Sequence, residues 1–346
     1  MKLLIRATNW VGDAIMALPA LQAVRARFPK AVISILALPY VADIYRGQGV
    51  ADELIEYDRK REHAGIRGGA KLAAALKTKQ FDKALLLQNA FAAAWIAWRA
   101  GIPERIGYDR DARGFLLTKA IRAPRAGEIP AHEKFYYLEL LKRAGWIDAI
   151  PAIVEISLKI TDEQARHAEE TLRSFGATEG AVRIAVGAGA SYGSAKCWPP
   201  ERFAASLNDL VKERDAEVLL FGTAAEAAVS SAIQAGLKRP AIDLTGNTQI
   251  AQLPALLSRC TAFLGNDSGA MHVAAAVGLP VVAVFGPTDP FGTAPVTPRC
   301  TIVQEKPYCS PCFLRRCPTD HRCMTTIAPE KVSAGVLRAL AEVSAG

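Results

Sequence analysis

Phe263-Leu-Gly-Asn-Asp-Ser-Gly-Ala-Met-His-Val-Ala-Ala-Ala-Val-Gly278 is the stretch whose reading decides the fold. The apolar run Thr261 to Leu264 predicts a buried strand that ends in a small polar turn, 265–269. An Ala- and Val-rich helix follows at once, and Val281-Val-Ala-Val-Phe285 predicts the next strand. The result is a βαβ unit with its most polar residues where the strand ends and the helix begins. Exposed amides and the helix dipole make such a point a natural anion site. Open α/β sheets also bind ligands at the carboxyl ends of their strands. Taken alone, the same turn reads first as an ordinary N-cap, with Asp267 or Ser268 satisfying helix amides.

Outward from this unit the chain alternates strand and helix almost throughout. In the first half, strands are predicted at Lys2 to Ala7, Val32 to Leu38, Glu53 to Tyr57, Lys83 to Gln88 and Arg105 to Tyr108. A helix from about Ala14 to Phe28 carries Ile15, Leu18, Leu21, Val24 and Phe28 at the helical period. Around Pro151 the pattern restarts after a linker, with Ile153 to Ile160 extended and a capping box of Thr161 and Gln164 opening the next helix. Strands at Arg183 to Val186, Val218 to Phe221 and Ile242 to Leu244 precede the opening unit, and Pro329 to Val343 is a final helix. Such alternation predicts two α/β halves, each a doubly wound parallel sheet, facing a cleft.

A chain of 346 residues is too long for one ordinary core, and 51% hydrophobic with 22% charged residues describes a soluble globular protein. The amino terminus runs directly into a strand and lacks the features of a signal peptide, which predicts a cytoplasmic location. A net charge of +8 favours anionic partners. Part of that excess is local: from Arg99 to Arg125 seven Arg and Lys face three acids. No aromatic-interleaved basic array accompanies it, which argues against nucleic acid and for phosphate-bearing small molecules or lipid headgroups. Four of the seven cysteines crowd together as Cys309-x2-Cys312-x4-Cys317-x5-Cys323, with His321 among them. That pattern suggests metal ligands or close-packed thiols sooner than disulfides, although it matches no standard zinc module.

Each half opens with a polar turn after its first strand. Asn9-Trp10-Val11-Gly12-Asp13 lacks the glycine fingerprint of a dinucleotide site, which weakens an oxidoreductase reading. Asp13 reads either as an N-cap or as a carboxylate general base. In the second half, Gly187-Ala-Gly-Ala-Ser-Tyr-Gly-Ser-Ala-Lys196 offers small residues for close amide approach, with Ser191, Ser194 and Lys196 as donors to a phosphate. It is not a P-loop. Glu226 and Thr248 follow later strands, where a carboxylate or hydroxyl reaches a ribose or simply meets solvent. His272, one turn into its helix, reads as a structural histidine.

Four of these segments together resemble the lipopolysaccharide heptosyltransferases of glycosyltransferase family 9. They are Asn9-Trp-Val-Gly-Asp13 leading into Ala14-Ile-Met-Ala-Leu-Pro19; Gly187-Ala-Gly-Ala-Ser191 through Lys196-Cys-Trp-Pro199; Leu244-Thr-Gly-Asn-Thr-Gln249; and Gly265-Asn-Asp-Ser-Gly-Ala-Met-His272 with Phe285-Gly-Pro287. Within the family, Asn9-Trp10 and the Asn-Asp-Ser-Gly turn place the likeness nearest the heptosyltransferase II group, with types I and III as alternatives. The resemblance implies a GT-B fold: an acceptor-binding domain over 1–155, an ADP-sugar-binding domain over 156–325, and a last helix over 326–346 that returns to the first domain. It implies inverting transfer of L-glycero-D-manno-heptose from ADP-heptose to a lipid A–Kdo–heptose acceptor. The enzyme would be a monomer, peripheral on the inner face of the inner membrane, with no cofactor and no metal. By the same likeness Asp13 is the general base. Ser191, Ser194, Lys196, Ser268 and Gly269 hold the ADP phosphates, Asp267 contacts the donor sugar with His272 beside it, and Glu226 and Thr248 meet ribose and adenine. Arg110 and Arg113, in the basic stretch, are candidates for acceptor phosphates. A non-catalytic nucleotide-binding protein is the reading from a different class, since binding residues alone do not prove turnover.

Overall fold

Short apolar runs separated by polar turns become two separate parallel sheets. The computed structural model describes residues 1–345 and divides into two units, Met1–Ile156 and Ser157–Gly346. The first unit contains β1 (Lys2–Arg6), β2 (Val32–Ala37), β3 (Glu53–Glu56), β4 (Lys83–Leu86), β5 (Glu104–Tyr108) and β6 (Lys119–Ile121). They lie in the order β3-β2-β1-β4-β5-β6, every pair parallel. The second unit contains β7 (Arg183–Gly187), β8 (Glu217–Leu220), β9 (Ile242–Asp243), β10 (Ala262–Asn266), β11 (Val281–Phe285) and β12 (Cys300–Gln304). Their order is β12-β11-β10-β7-β8-β9, again all parallel. Counted from each unit's first strand, the two orders are the same doubly wound arrangement, although the sequence shows no repeat. Both units are therefore Rossmann-like, the pair of domains that makes up a GT-B chain.

In the second sheet β7, β10 and β11 are buried at every residue, as expected for parallel strands covered by helices on both faces. Register sets Gly187 of β7 directly beside Gly265 of β10. A Cβ on Gly265 would stand 2.6 Å from the Gly187 carbonyl oxygen and one on Gly187 2.7 Å from the Phe263 ring, so only glycine lets these two strand ends meet so closely.

Several local expectations change. The helix foreseen from Ala14 to Phe28 is two helices, Val11–Met16 and Leu18–Arg27, with Pro19 in the first turn of the second, where its missing N–H does no harm. Asp13 thus lies inside a first helical turn and is no N-cap; Trp10 holds that place. Residues 153–160 form no strand, yet Val154, Ile156 and Leu158 are buried alternately, and the Leu158 N–H reaches the Ala276 carbonyl at 2.8 Å. The capping box of Thr161 and Gln164 is present in full. β6 and β12 were not foreseen, since each is an edge strand with an incomplete apolar face.

The helix Pro329–Ala345 packs on the helix Pro200–Arg214 and on β10, β11 and β12. Val332, Val336 and Leu340 are apolar knobs in the core that Trp198, Phe203, Val282 and Val284 build. Removing the chain from Pro329 onward would bare that core to water. The truncated protein is expected to lose the cooperative unfolding transition of the second unit and to aggregate, as thermal denaturation and light scattering would register. A soluble, cooperatively melting truncation would contradict this assignment.

Candidate active site

Strand order reverses between β1 and β4 in one sheet and between β7 and β10 in the other. At such switch points the loops leaving adjacent strands part to opposite faces and open a crevice at the carboxyl edge. Asp13, Ser191, Ser194, Lys196, Asp267, Ser268, Gly269 and His272 follow these switch-point strands, whereas Arg110 and Arg113 follow β5, Glu226 follows β8 and Thr248 follows β9.

In the second unit the crevice is bounded by the loop after β7 and the turn after β10. Lys196 Nζ lies 2.5 Å from Asp267 Oδ2, with the two side chains 12% and 5% exposed. The Thr288 hydroxyl, after β11, donates to the same carboxylate oxygen at 2.6 Å. Asp267 is therefore committed to an ion pair and a hydroxyl, which removes the N-cap reading. Ser268 is the N-cap of the helix Gly269–Ala276, but its side chain makes no capping bond and its Oγ is buried without a partner. The N-cap side chain thus leaves the first helix amides uncapped, and they carry the positive end of the dipole.

Asn266 fixes the geometry and was missed from sequence. It is fully buried; its Oδ1 accepts from the Trp198 N–H at 3.0 Å and its Nδ2 donates to the Ala188 carbonyl at 2.5 Å. One amide side chain thus ties both ends of the loop carrying Lys196 to the turn carrying Asp267. Its position inside the polar turn was the available signal. Tyr192 and Thr288 were also missed: the Lys196 ammonium lies 4.8 Å over the Tyr192 ring.

The remaining second-unit candidates have distinct surroundings. Ser191 and Ser194 are exposed on the loop, Ser194 opening the short 3-10 turn that ends at Lys196. Glu226 accepts from the Thr223 N–H at 2.7 Å and the Thr223 hydroxyl at 3.0 Å in a capping box after β8. Its other oxygen lies against Gly189, where an added Cβ would stand 1.6 Å away, so Glu226 borders the same loop. Thr248 is half-buried in the turn after β9, and His272 is buried in the helix that Ser268 begins. All seven thiols are free. Among the described residues no group of three or more His, Cys, Asp or Glu is placed to hold a metal ion.

In the first unit Asp13 is half-buried at the end of β1. Burial pushes the Tyr45 and Tyr137 phenols up, and the nearby Asp13 carboxylate pushes both further. The Asp13 turn is held from beneath by Arg6, whose Nη1 donates to the Ala7 carbonyl at 2.5 Å and whose Nη2 donates to Asn9 Oδ1 at 2.7 Å. Burial lowers this guanidinium to about 10. The Tyr40 hydroxyl donates to the Asn9 carbonyl at 2.8 Å. Arg6 was passed over in sequence, though a charged residue closing an apolar strand was the clue.

The two arginine candidates part company. Arg110 is exposed, and its charge offsets part of the burial that raises the Glu133 carboxyl. Arg113 is 0% exposed. It donates to the Tyr108 carbonyl at 3.0 Å, to the Gln88 carbonyl, and to Asn89 Oδ1 at 2.9 Å. Burial lowers Arg113 to about 10. A guanidinium so enclosed braces the loops after β4 and β5 and offers no free donor face to an acceptor phosphate, which corrects its place among the binding candidates.

This crevice, with its paired Lys and Asp beside an uncapped helix, sits on a chain that belongs to glycosyltransferase family 9 (heptosyltransferase), whose family model matches residues 69–322. The protein is thus a glycosyltransferase. It is similar to lipopolysaccharide heptosyltransferase 2 of Escherichia coli K12, 28% identical over 88% of both chains. Lipooligosaccharide heptosyltransferase 2 of Haemophilus influenzae is 29% identical over the same shares. The solved structure of E. coli ADP-heptose LPS heptosyltransferase II superposes with a TM-score of 0.82 at 26% identity, covering 99% of each chain.

Replacing Asn266 by Ala strands the Trp198 N–H and the Ala188 carbonyl in the interior, at a cost of about 2 kcal/mol or more. The variant is expected to unfold at lower urea and, if the loop carries donor contacts, to bind donor less tightly. An unchanged urea midpoint would show that the loop is held by other means.

Proposed function

We propose that this enzyme moves L-glycero-D-manno-heptose, with inversion, from ADP-heptose to the heptose of a lipopolysaccharide inner core. The observation that carries the reading is the buried Lys196–Asp267 pair set beside uncapped helix amides and the orphaned Ser268 hydroxyl. A departing ADP develops negative charge on its diphosphate, and preorganised amides with a lysine are what stabilises it. In this reading the Ser268 and Gly269 amides, with Ser191, Ser194 and Lys196, hold the phosphates. Asp267 faces the donor sugar near His272, while Glu226 and Thr248 meet the ribose and adenine. Similarity to proteins named heptosyltransferase 2 supports the choice of sugar and acceptor.

The acceptor hydroxyl must lose its proton as its oxygen attacks the anomeric carbon from the face opposite ADP. Asp13 is the proposed base, a carboxylate at the carboxyl edge of the first sheet held in place by the Arg6-supported turn. Arg110 is the remaining candidate for an acceptor phosphate. We place the enzyme in the cytoplasm as a monomer at the inner face of the inner membrane. Among the described residues no helix is long and apolar enough to cross a membrane. An exposed face of the first unit suits peripheral contact: Phe91 and Phe115 lie 6.2 Å apart, 44% and 78% exposed, and Trp98 is 48% exposed next to Arg99. Aromatic rings beside basic residues favour the headgroup region of an anionic bilayer.

Incubation with ADP-heptose and defined truncated core acceptors, followed by product mass and linkage analysis, tests the reading. Transfer of one heptose with inverted anomeric configuration is expected; ADP binding without turnover on any acceptor would favour the non-catalytic alternative. Asp13→Asn is expected to lower kcat about a hundredfold or more while ADP affinity stays within about twofold. Wild-type turnover in that variant would remove Asp13 as the base. In flotation with anionic vesicles, the protein is expected to bind at low salt, and Phe115→Ser with Trp98→Ser to reduce that binding severalfold. Vesicle binding indifferent to both changes would refute this face as the contact.

A further inference from the structure

The Lys196–Asp267 pair leaves an electrostatic shortfall. Lys196 already has its charge met by Asp267 at 2.5 Å, so the pair presents no net charge to a diphosphate. The uncapped helix contributes only about half a unit of positive charge. A diphosphate carrying two or more negative charges needs another cation within reach. The loop following β12 brings one. Residues 305–321 form no helix or strand, yet their backbone is fastened to the donor crevice at several points. The Cys312 and Phe313 N–H groups donate to the Pro287 carbonyl at 3.0 and 2.8 Å, and the Ser310 hydroxyl to the Gly286 carbonyl at 2.6 Å.

The same segment clamps the turn that presents Lys196. The Ala195 N–H donates to the Arg315 carbonyl at 3.1 Å, and His321 Nε2 bonds the Ala195 carbonyl at 2.7 Å. Gly193 approaches so closely that an added Cβ would stand 2.2 Å from the Arg315 carbonyl oxygen. The Tyr192 hydroxyl donates to the Phe313 carbonyl at 2.6 Å. The Tyr192 ring then receives two cations, Lys196 at 4.8 Å and the Arg315 guanidinium at 5.3 Å. Sharing one ring keeps the two charges no further apart than roughly a Debye length at moderate salt. Arg315 is exposed and, among the described residues, has no carboxylate partner. Its planar fork suits two phosphate oxygens at once.

We infer that Arg315 is a second phosphate-binding cation of the donor site, delivered by the cysteine-rich loop and aimed by Tyr192. This rests on the reading of the second-unit crevice as an ADP-sugar site. Arg315 supplies the unmatched charge, while Lys196 stays anchored to Asp267. The neighbouring Arg316, exposed on the same loop, serves as a control of equal charge.

Calorimetric titration of ADP into the full-length protein over a salt series tests this, with Arg315→Gln, Arg315→Lys, Arg316→Gln and Lys196→Ala compared. Arg315→Gln is expected to weaken ADP about tenfold, the loss of a charge-assisted hydrogen bond. It should also flatten the salt dependence, keep the thermal midpoint, and be largely rescued in Arg315→Lys. Arg316→Gln should bind as wild type. Affinity unchanged in Arg315→Gln while Lys196→Ala weakens binding overturns this inference and spares the ADP-site reading. Weakening with an unaltered salt slope also overturns it, since a mere prop for Tyr192 would behave that way. A wild-type protein that does not bind ADP ends the site reading and this inference with it.

Discussion

A buried ion pair between Lys196 and Asp267 is the constraint around which the second unit is arranged. Taking a carboxylate and an ammonium out of water costs several kcal/mol for each ion, and their attraction offsets this only where geometry is fixed and the remaining valences are met. The surrounding structure meets those conditions. Thr288 supplies a hydroxyl to Asp267, the Tyr192 ring covers the ammonium, and Asn266 binds the two contributing segments together. Behind them Gly187 and Gly265 bring β7 and β10 close enough for their exits to share one crevice.

The first unit uses the same strand order for a different purpose. Its carboxyl edge is held from within by buried arginines that bond backbone carbonyls. Arg6 secures the turn before Asp13, and Arg113 links the exits of β4 and β5. Neither guanidinium is spent on an anion. Both act as struts that tie neighbouring loops together at the carboxyl edge of the sheet. The buried phenols of Tyr45 and Tyr137 lie near enough to Asp13 to feel its charge.

Much of this was legible in the sequence because parallel strands advertise themselves. β10 and β11 are buried at every residue, so the apolar runs Thr261 to Leu264 and Val281 to Phe285 read as strands, and strands are what the structure has there. β12 escaped notice because an edge strand needs only one covered side, and its residues are mostly half-buried. Asp267 read as an N-cap or as part of a ligand-facing turn; its ion pair with Lys196 was not foreseen, because the partner lies about seventy residues away in the chain. Arg113 was misplaced for a related reason: a charged residue in a basic stretch reads as surface until carbonyls from Gln88 and Tyr108 are seen to enclose it. The contribution of Arg315 lay beyond sequence because it depends on a loop with no regular structure meeting another across more than a hundred residues of chain.

The place of the last helix has a consequence for how the chain comes to be folded during synthesis. The core of the first unit is complete once residue 156 has left the ribosome, so that unit is free to form while the rest is still being made. The second unit has no such opportunity. Its core stays incomplete until Val332, Val336 and Leu340 have been made. Through that interval β10 and β11, buried at every residue in the finished fold, depend on chaperones or on the speed of elongation for protection. The crevice of the second unit thus waits for a helix made long after the strands that border it.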